Sequence, residues 1–110
     1  MVHTISLFSS RSLISLGDCA VCGNVPAMRN LFPLDAVLDR AYKENVQLNP
    51  QRPSVNVPRL LDVVCPLHAV VPVDLFVPGC PPSAAAIWFV LSELIAGRQP
   101  DPSQVTRFGA

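Results

Sequence analysis

The sequence predicts an α/β domain built around cysteine-bearing turns that lead from strand to helix. Val70 to Val77 is an apolar run that enters Pro78-Gly79-Cys80-Pro81-Pro82, and Leu13-Ile14-Ser15-Leu16 is a shorter run that enters Gly17-Asp18-Cys19. A helical pattern begins directly after the second turn. Pro78 and Gly79 end the strand, while Pro81 and Pro82 remove backbone donors and fix φ ahead of that helix. Cysteines so placed stand at the carboxyl ends of strands, where open α/β sheets put ligands.

The elements follow in order. After the first cysteine turn, Leu34 to Tyr42 carries apolar residues at three- and four-residue intervals behind Pro33, predicting a short amphipathic helix. Lys43 to Pro58 is polar and interrupted by Pro50, Pro53 and Pro58, so it reads as an irregular surface excursion. Leu60, Leu61, Val63 and Val64 form a brief apolar segment leading to Cys65. The Val70 to Val77 run is the second strand. Pro82 and Ser83 open the last helix and Gly97 closes it, with Ile87, Val90, Leu91, Leu94 and Ile95 forming its core face. Trp88 is expected to widen that core face, or else to meet a partner. The tail from Gln99 to Ala110 is expected to lie over the surface or fray.

A chain of 110 residues supports one domain with a modest core. It is 50% hydrophobic and 15% charged, against roughly 25% charged in an average soluble domain. Apolar surface is therefore expected, buried against a partner or another part of the protein. A formal net charge of +0 provides no field for nucleic acid or an anionic membrane. The Ala84 to Leu91 stretch, ended by Ser92 and Glu93, falls short of the roughly 20 apolar residues that a membrane span needs. Met1 to Arg11 lacks the charged and apolar regions of a secretory leader, so the reducing cytoplasm is the expected compartment and a disulfide framework is not expected.

The two turns together resemble a known superfamily. Gly17-Asp18-Cys19-Ala20 with Pro78-Gly79-Cys80-Pro81-Pro82 is similar to the small, electron-transferring subunit of nickel-iron hydrogenases and to the 20 kDa cluster-carrying subunit of NADH:ubiquinone oxidoreductases. Asn24-Val25-Pro26-Ala27-Met28-Arg29-Asn30 and Pro66-Leu67-His68-Ala69-Val70-Val71-Pro72-Val73-Asp74 resemble in particular the delta-type small subunit of soluble NAD-reducing hydrogenases. The resemblance covers residues 12–98, leaving 1–11 as a non-matching segment and 99–110 as a tail. It implies a partial, flavodoxin-like three-layer domain that lacks its N-terminal half.

The resemblance implies a non-catalytic electron-transfer subunit. In such a subunit a proximal four-iron four-sulfur cluster relays electrons between a large-subunit nickel-iron site and a diaphorase module. Those two subunits are the implied partners. Cys19 and Cys80 fall on two of the four family ligands, while the other two belong to a CxxC turn in the N-terminal half. A flavin site would also rest on that half. Alternatives remain: a subunit of a quinone-reducing complex, an inactive remnant, or a small zinc module.

Cys22 and Cys65 raise the thiol count to four. Cys19-Ala20-Val21-Cys22 with Cys65-Pro66-Leu67-His68 has a spacing that permits tetrahedral zinc. These residues stand among apolar runs, however, and the expected state of Cys22 and Cys65 is small, buried and apolar. His68 is expected to be structural, or else to line the cluster pocket and donate toward a sulfur. His3 is expected to be exposed. Arg29 is either a solvated loop residue or the partner of a carboxylate across the interface, which the resemblance places beside Asn24 and Asn30. No nucleophile, base and acid stand in a fixed motif.

Overall fold

The structure, a computed structural model, describes residues 12–110. His3 and the 1–11 segment lie outside the described residues. Five principal elements follow one another: β1 (Ile14–Leu16), α1 (Asp18–Cys22), α2 (Leu34–Asp39), β2 (Leu75–Val77) and α3 (Ala84–Ile95). Short 3-10 turns occupy Val25–Leu31, Leu67–Ala69 and Pro102–Gln104, and a π-helical turn, Arg40–Glu44, extends α2.

β1 and β2 pair in parallel, with Ile14 opposite Leu75, Ser15 opposite Phe76 and Leu16 opposite Val77. Asp74 brackets the start of this pairing: its amide donates to the Leu13 carbonyl at 2.9 Å, and its carboxylate accepts from the Leu13 amide at 2.7 Å. The architecture is α/β, with α3 lying on the sheet. Leu75, Val77 and Val90 form the core, and Ile14, Phe89 and Leu94 pack around them.

The second strand is shorter than its apolar run. Leu67–Ala69 is a 3-10 turn, and only Leu75–Val77 pairs, because the ladder has just three partner residues in β1 and Pro72 offers no amide. The apolar residues from Leu60 to Val64 form no regular element.

α3 has sharp ends. The Ser83 hydroxyl caps it by accepting from the Ala86 amide at 3.2 Å. At its far end the Gly97 amide donates to Leu94 at 3.0 Å and the Arg98 amide to Glu93 at 2.9 Å. This is a Schellman closure, which Gly97 permits at φ 78°.

The core face of α3 differs from the expected one. Ala86 and Val90 are buried, whereas Trp88 is 72% exposed and Ile95 86% exposed, with Leu91 between them. Trp88, Leu91 and Ile95 recur at intervals of three and four, so α3 carries a second, exposed apolar stripe. Beside it, an open apolar cleft of about 190 Å³ is lined by Ile14, Leu16, Val77, Ile87, Val90 and Leu91.

Parallel sheets are ordinarily covered on both faces, and two strands alone are marginal. The radius of gyration is 17.2 Å, against about 13 Å for a compact domain of this length. The apolar surface expected from composition is present, and Leu31, Leu48 and Val55 are also largely exposed.

The amphipathic helix is α2 with its π-turn, although none of its residues is fully buried. Arg52 ties the irregular excursion back to it, donating through Nε to Asp39 and through Nη1 to Asp35, both at 2.7 Å.

Candidate metal centre

Two strand ends build the candidate site. Past Leu16 the parallel ladder runs on into the turns: the Gly17 amide donates to the Val77 carbonyl at 2.7 Å and the Asp18 amide to the Gly79 carbonyl at 2.8 Å. The Asp18 carboxylate returns the link, accepting from the Gly79 amide at 2.6 Å. These bonds hold the Gly17-Asp18-Cys19 and Pro78-Gly79-Cys80 turns side by side.

Gly79 is required there. Its φ is 137°, and a Cβ would stand 2.5 Å from the Pro82 Cα, closer than any side chain allows.

Cys19 lies in the first turn of α1 and Cys80 in the turn after β2, and both are exposed free thiols. The Asn24 amide donates to the Cys80 Sγ at 3.5 Å, bringing the loop after α1 onto the second turn. Cys22 is exposed rather than buried, and from its place four residues after Asp18 its thiol donates to the Asp18 carbonyl at 3.2 Å. Cys65 is half-buried. Among the described residues no three Cys, His, Asp or Glu side chains come together as a metal-holding group. Cys22, Cys65 and His68 are thus not gathered with both Cys19 and Cys80 in this arrangement.

His68 is exposed and meets the Phe76 ring edge-on, with centroids 5.4 Å apart and planes at 80°. Among the described residues it makes no hydrogen bond to a sulfur. Arg29 and Asn30 act within the chain. Arg29 donates to the Leu61 carbonyl at 2.9 Å, and Asn30 clasps the Val64 backbone, donating at 2.8 Å and accepting at 2.7 Å. They pin the 60–64 segment to the loop that follows Cys19.

Sequence reasoning missed three contributors: Asp18 as the clamp, Asn24 as a sulfur partner, and the tail. The tail does not fray. Thr106, Gly109 and Ala110 each bond to the cysteine turns or to Asp18. A short carboxylate directly after a positive-φ glycine was the available signal for Asp18; no periodicity marks the tail.

Residues 6–94 match the family described as NADH ubiquinone oxidoreductase, 20 Kd subunit. The chain belongs to this family. Among its relatives, the NAD-reducing hydrogenase HoxS subunit delta of Cupriavidus necator is 45% identical over 102 residues, which are 87% of this chain and 49% of that protein. A subunit of the F420-non-reducing hydrogenase of Methanothermobacter marburgensis is 38% identical over 93 residues, 82% of this chain and 30% of that protein. The chain thus spans half or less of the length of these relatives. A chain in the crystal structure of an NAD+-reducing NiFe hydrogenase in its H2-reduced state superposes with a TM-score of 0.77 at 35% identity, covering 89% of this chain and 57% of that one. These relatives are hydrogenase subunits, as the oxidoreductase reading of the two turns requires. Among the described residues no helix is long and apolar enough to cross a membrane.

The donor set tests the implied cluster. Thiolate is the ligand that iron-sulfur clusters take, and a four-iron cluster takes four. Cys19 and Cys80 offer two exposed thiols of the kind such a cluster takes, and among the described residues no complete set forms.

Proposed function

We propose that this chain is the cluster-facing part of a hydrogenase electron-transfer subunit, in which Cys19 and Cys80 are two of four thiolates on a proximal four-iron four-sulfur cluster. The observation that carries this reading is the locking of two exposed thiols onto adjoining strand ends by the Gly17, Asp18 and Gly79 bonds. Such a cluster supplies one-electron storage beside the large-subunit nickel-iron site, toward a diaphorase module.

The remaining two thiolates come from outside this sequence, on a segment that completes a flavodoxin-like three-layer domain and covers the apolar stripe of α3. Residues 12–98 are the cluster-facing unit, with 1–11 and 99–110 flanking it. Cytoplasmic placement accords with unpaired thiols.

Anaerobic reconstitution with iron and sulfide tests the reading. The full chain is used alone and with a separately produced N-terminal half of the Cupriavidus necator relative. Iron and sulfide in equal amounts, retained only in the mixture, are expected. Stoichiometric zinc without iron would identify a zinc module instead, and no retained metal in either sample would identify a remnant.

A further inference from the structure

Thr106 to Ala110 crosses both cysteine turns. The Thr106 hydroxyl donates to the Pro78 carbonyl at 2.6 Å, the Gly109 amide donates to the second oxygen of Asp18 at 2.8 Å, and the Cys80 amide donates to the Ala110 carbonyl at 2.7 Å. The segment is aimed there by the turn before it. Asp101 accepts from the Ser103 amide at 3.1 Å, and the Val105 and Thr106 amides both donate to Pro102 at 3.0 Å.

We propose that this segment is a strap that orients Cys80, with Thr106, Gly109 and Asp18 as positioning residues. The donors of the turn show why a strap is needed. Pro78, Pro81 and Pro82 have no amide hydrogen, so Gly79 and Cys80 supply the only backbone donors between Val77 and Ser83. Asp18 takes the first and Ala110 takes the second. The Cys80 backbone is thereby held from two sides, which sets the direction of its Cα–Cβ bond, and the Asn24 amide meets the sulfur beyond it. Asp18 joins the two restraints, since one oxygen accepts from Gly79 and the other from Gly109. Removing the strap leaves the turn its Asp18 anchor and frees the cysteine.

The value of this orientation for cluster assembly rests on the function proposed above, but the strap itself is tested on the metal-free full chain. Brief iodoacetamide labelling at one pH, read residue by residue by mass spectrometry, compares wild type, Thr106→Val, Thr106→Ser and a chain ended at Val105. Cys80 labelling is expected to rise about fivefold in Thr106→Val, the scale of one ordinary hydrogen bond. It should rise further in the shortened chain and return to the wild-type rate in Thr106→Ser, with Cys19 changing less than about twofold. An unchanged Cys80 rate in both Thr106→Val and the shortened chain would overturn the strap. So would equal acceleration at all four cysteines, which marks general loosening. Failure of iron loading in the reconstitution mixture, with these rates as expected, removes the cluster reading and leaves the strap standing.

Discussion

The Asp18 carboxylate accepts the Gly79 amide proton at 2.6 Å across a sequence separation of 61 residues. Asp18 is only 5% exposed, so its oxygens depend on protein donors, and Gly79 and Gly109 supply them. Deleting the carboxylate leaves two backbone amides without their acceptor, at a cost of roughly 1–3 kcal/mol for the bonds lost. Asp18→Ala is therefore expected to lower unfolding free energy by about 2 kcal/mol, read as an earlier urea midpoint. A midpoint equal to that of wild type would show that the clamp contributes nothing to the folded state.

The four cysteines divide by position. Cys19 and Cys80 stand on adjoining strand ends, while Cys22 is engaged with the backbone of its own helix and Cys65 is half-buried elsewhere. In the reconstituted mixture, Cys19→Ser or Cys80→Ser is expected to remove most of the iron, because hydroxyl replaces thiolate as the ligand. Cys22→Ser and Cys65→Ser should retain it. Iron loss on replacing Cys65 would move the ligand set away from the two strand ends.

Much of this arrangement was legible in the sequence, because turn chemistry is local. Gly79 between Pro78 and Cys80, Ser83 before a helical run and Gly97 after it each have one backbone use, and each serves it. Burial was less legible. Trp88 and Ile95 sit on a helix with an apolar residue at nearly every position from Ala84 to Leu91, so periodicity alone cannot say which face meets the sheet. With two strands among the described residues, the sheet covers Val90, with Phe89 and Leu94 beside it. The tail was illegible for a different reason: Gly109 and Ala110 bind through backbone groups common to every sequence, and a single threonine hydroxyl, that of Thr106, carries no pattern.

The excursion from 43 to 58 is held by charge, which makes its attachment pH-dependent. The Arg52 guanidinium, followed by the Lys43 ammonium, holds the Asp39 carboxyl down to about 2 from its ordinary 3.8. A group whose folded value lies below its unfolded value contributes stability that is complete above the unfolded value and lost as pH falls through the folded one. The link is thus expected to be intact above about pH 4 and to fail toward pH 2. Arg52→Gln should return the Asp39 midpoint toward 3.8, as followed by carboxyl carbon chemical shift. A midpoint that stays near 2 in that variant would assign the depression to another group.

The two faces of α3 predict opposite behaviour from residues two positions apart. Val90 is 2% exposed against Val77 and Leu75, so Val90→Ala removes packed methyl groups and should lower stability by about 1–2 kcal/mol. Trp88 faces away, and Trp88→Ser should change stability by less than about 0.5 kcal/mol in the isolated chain. Trp88 is also the sole tryptophan, so its emission reports that face directly. It is expected at the long wavelength of a hydrated indole in the chain alone, moving to shorter wavelength when the complementing half is added, because covering the ring replaces water with side chains. An unshifted emission in a mixture that retains iron would show that the complement binds elsewhere and leaves the stripe of Trp88, Leu91 and Ile95 for another surface.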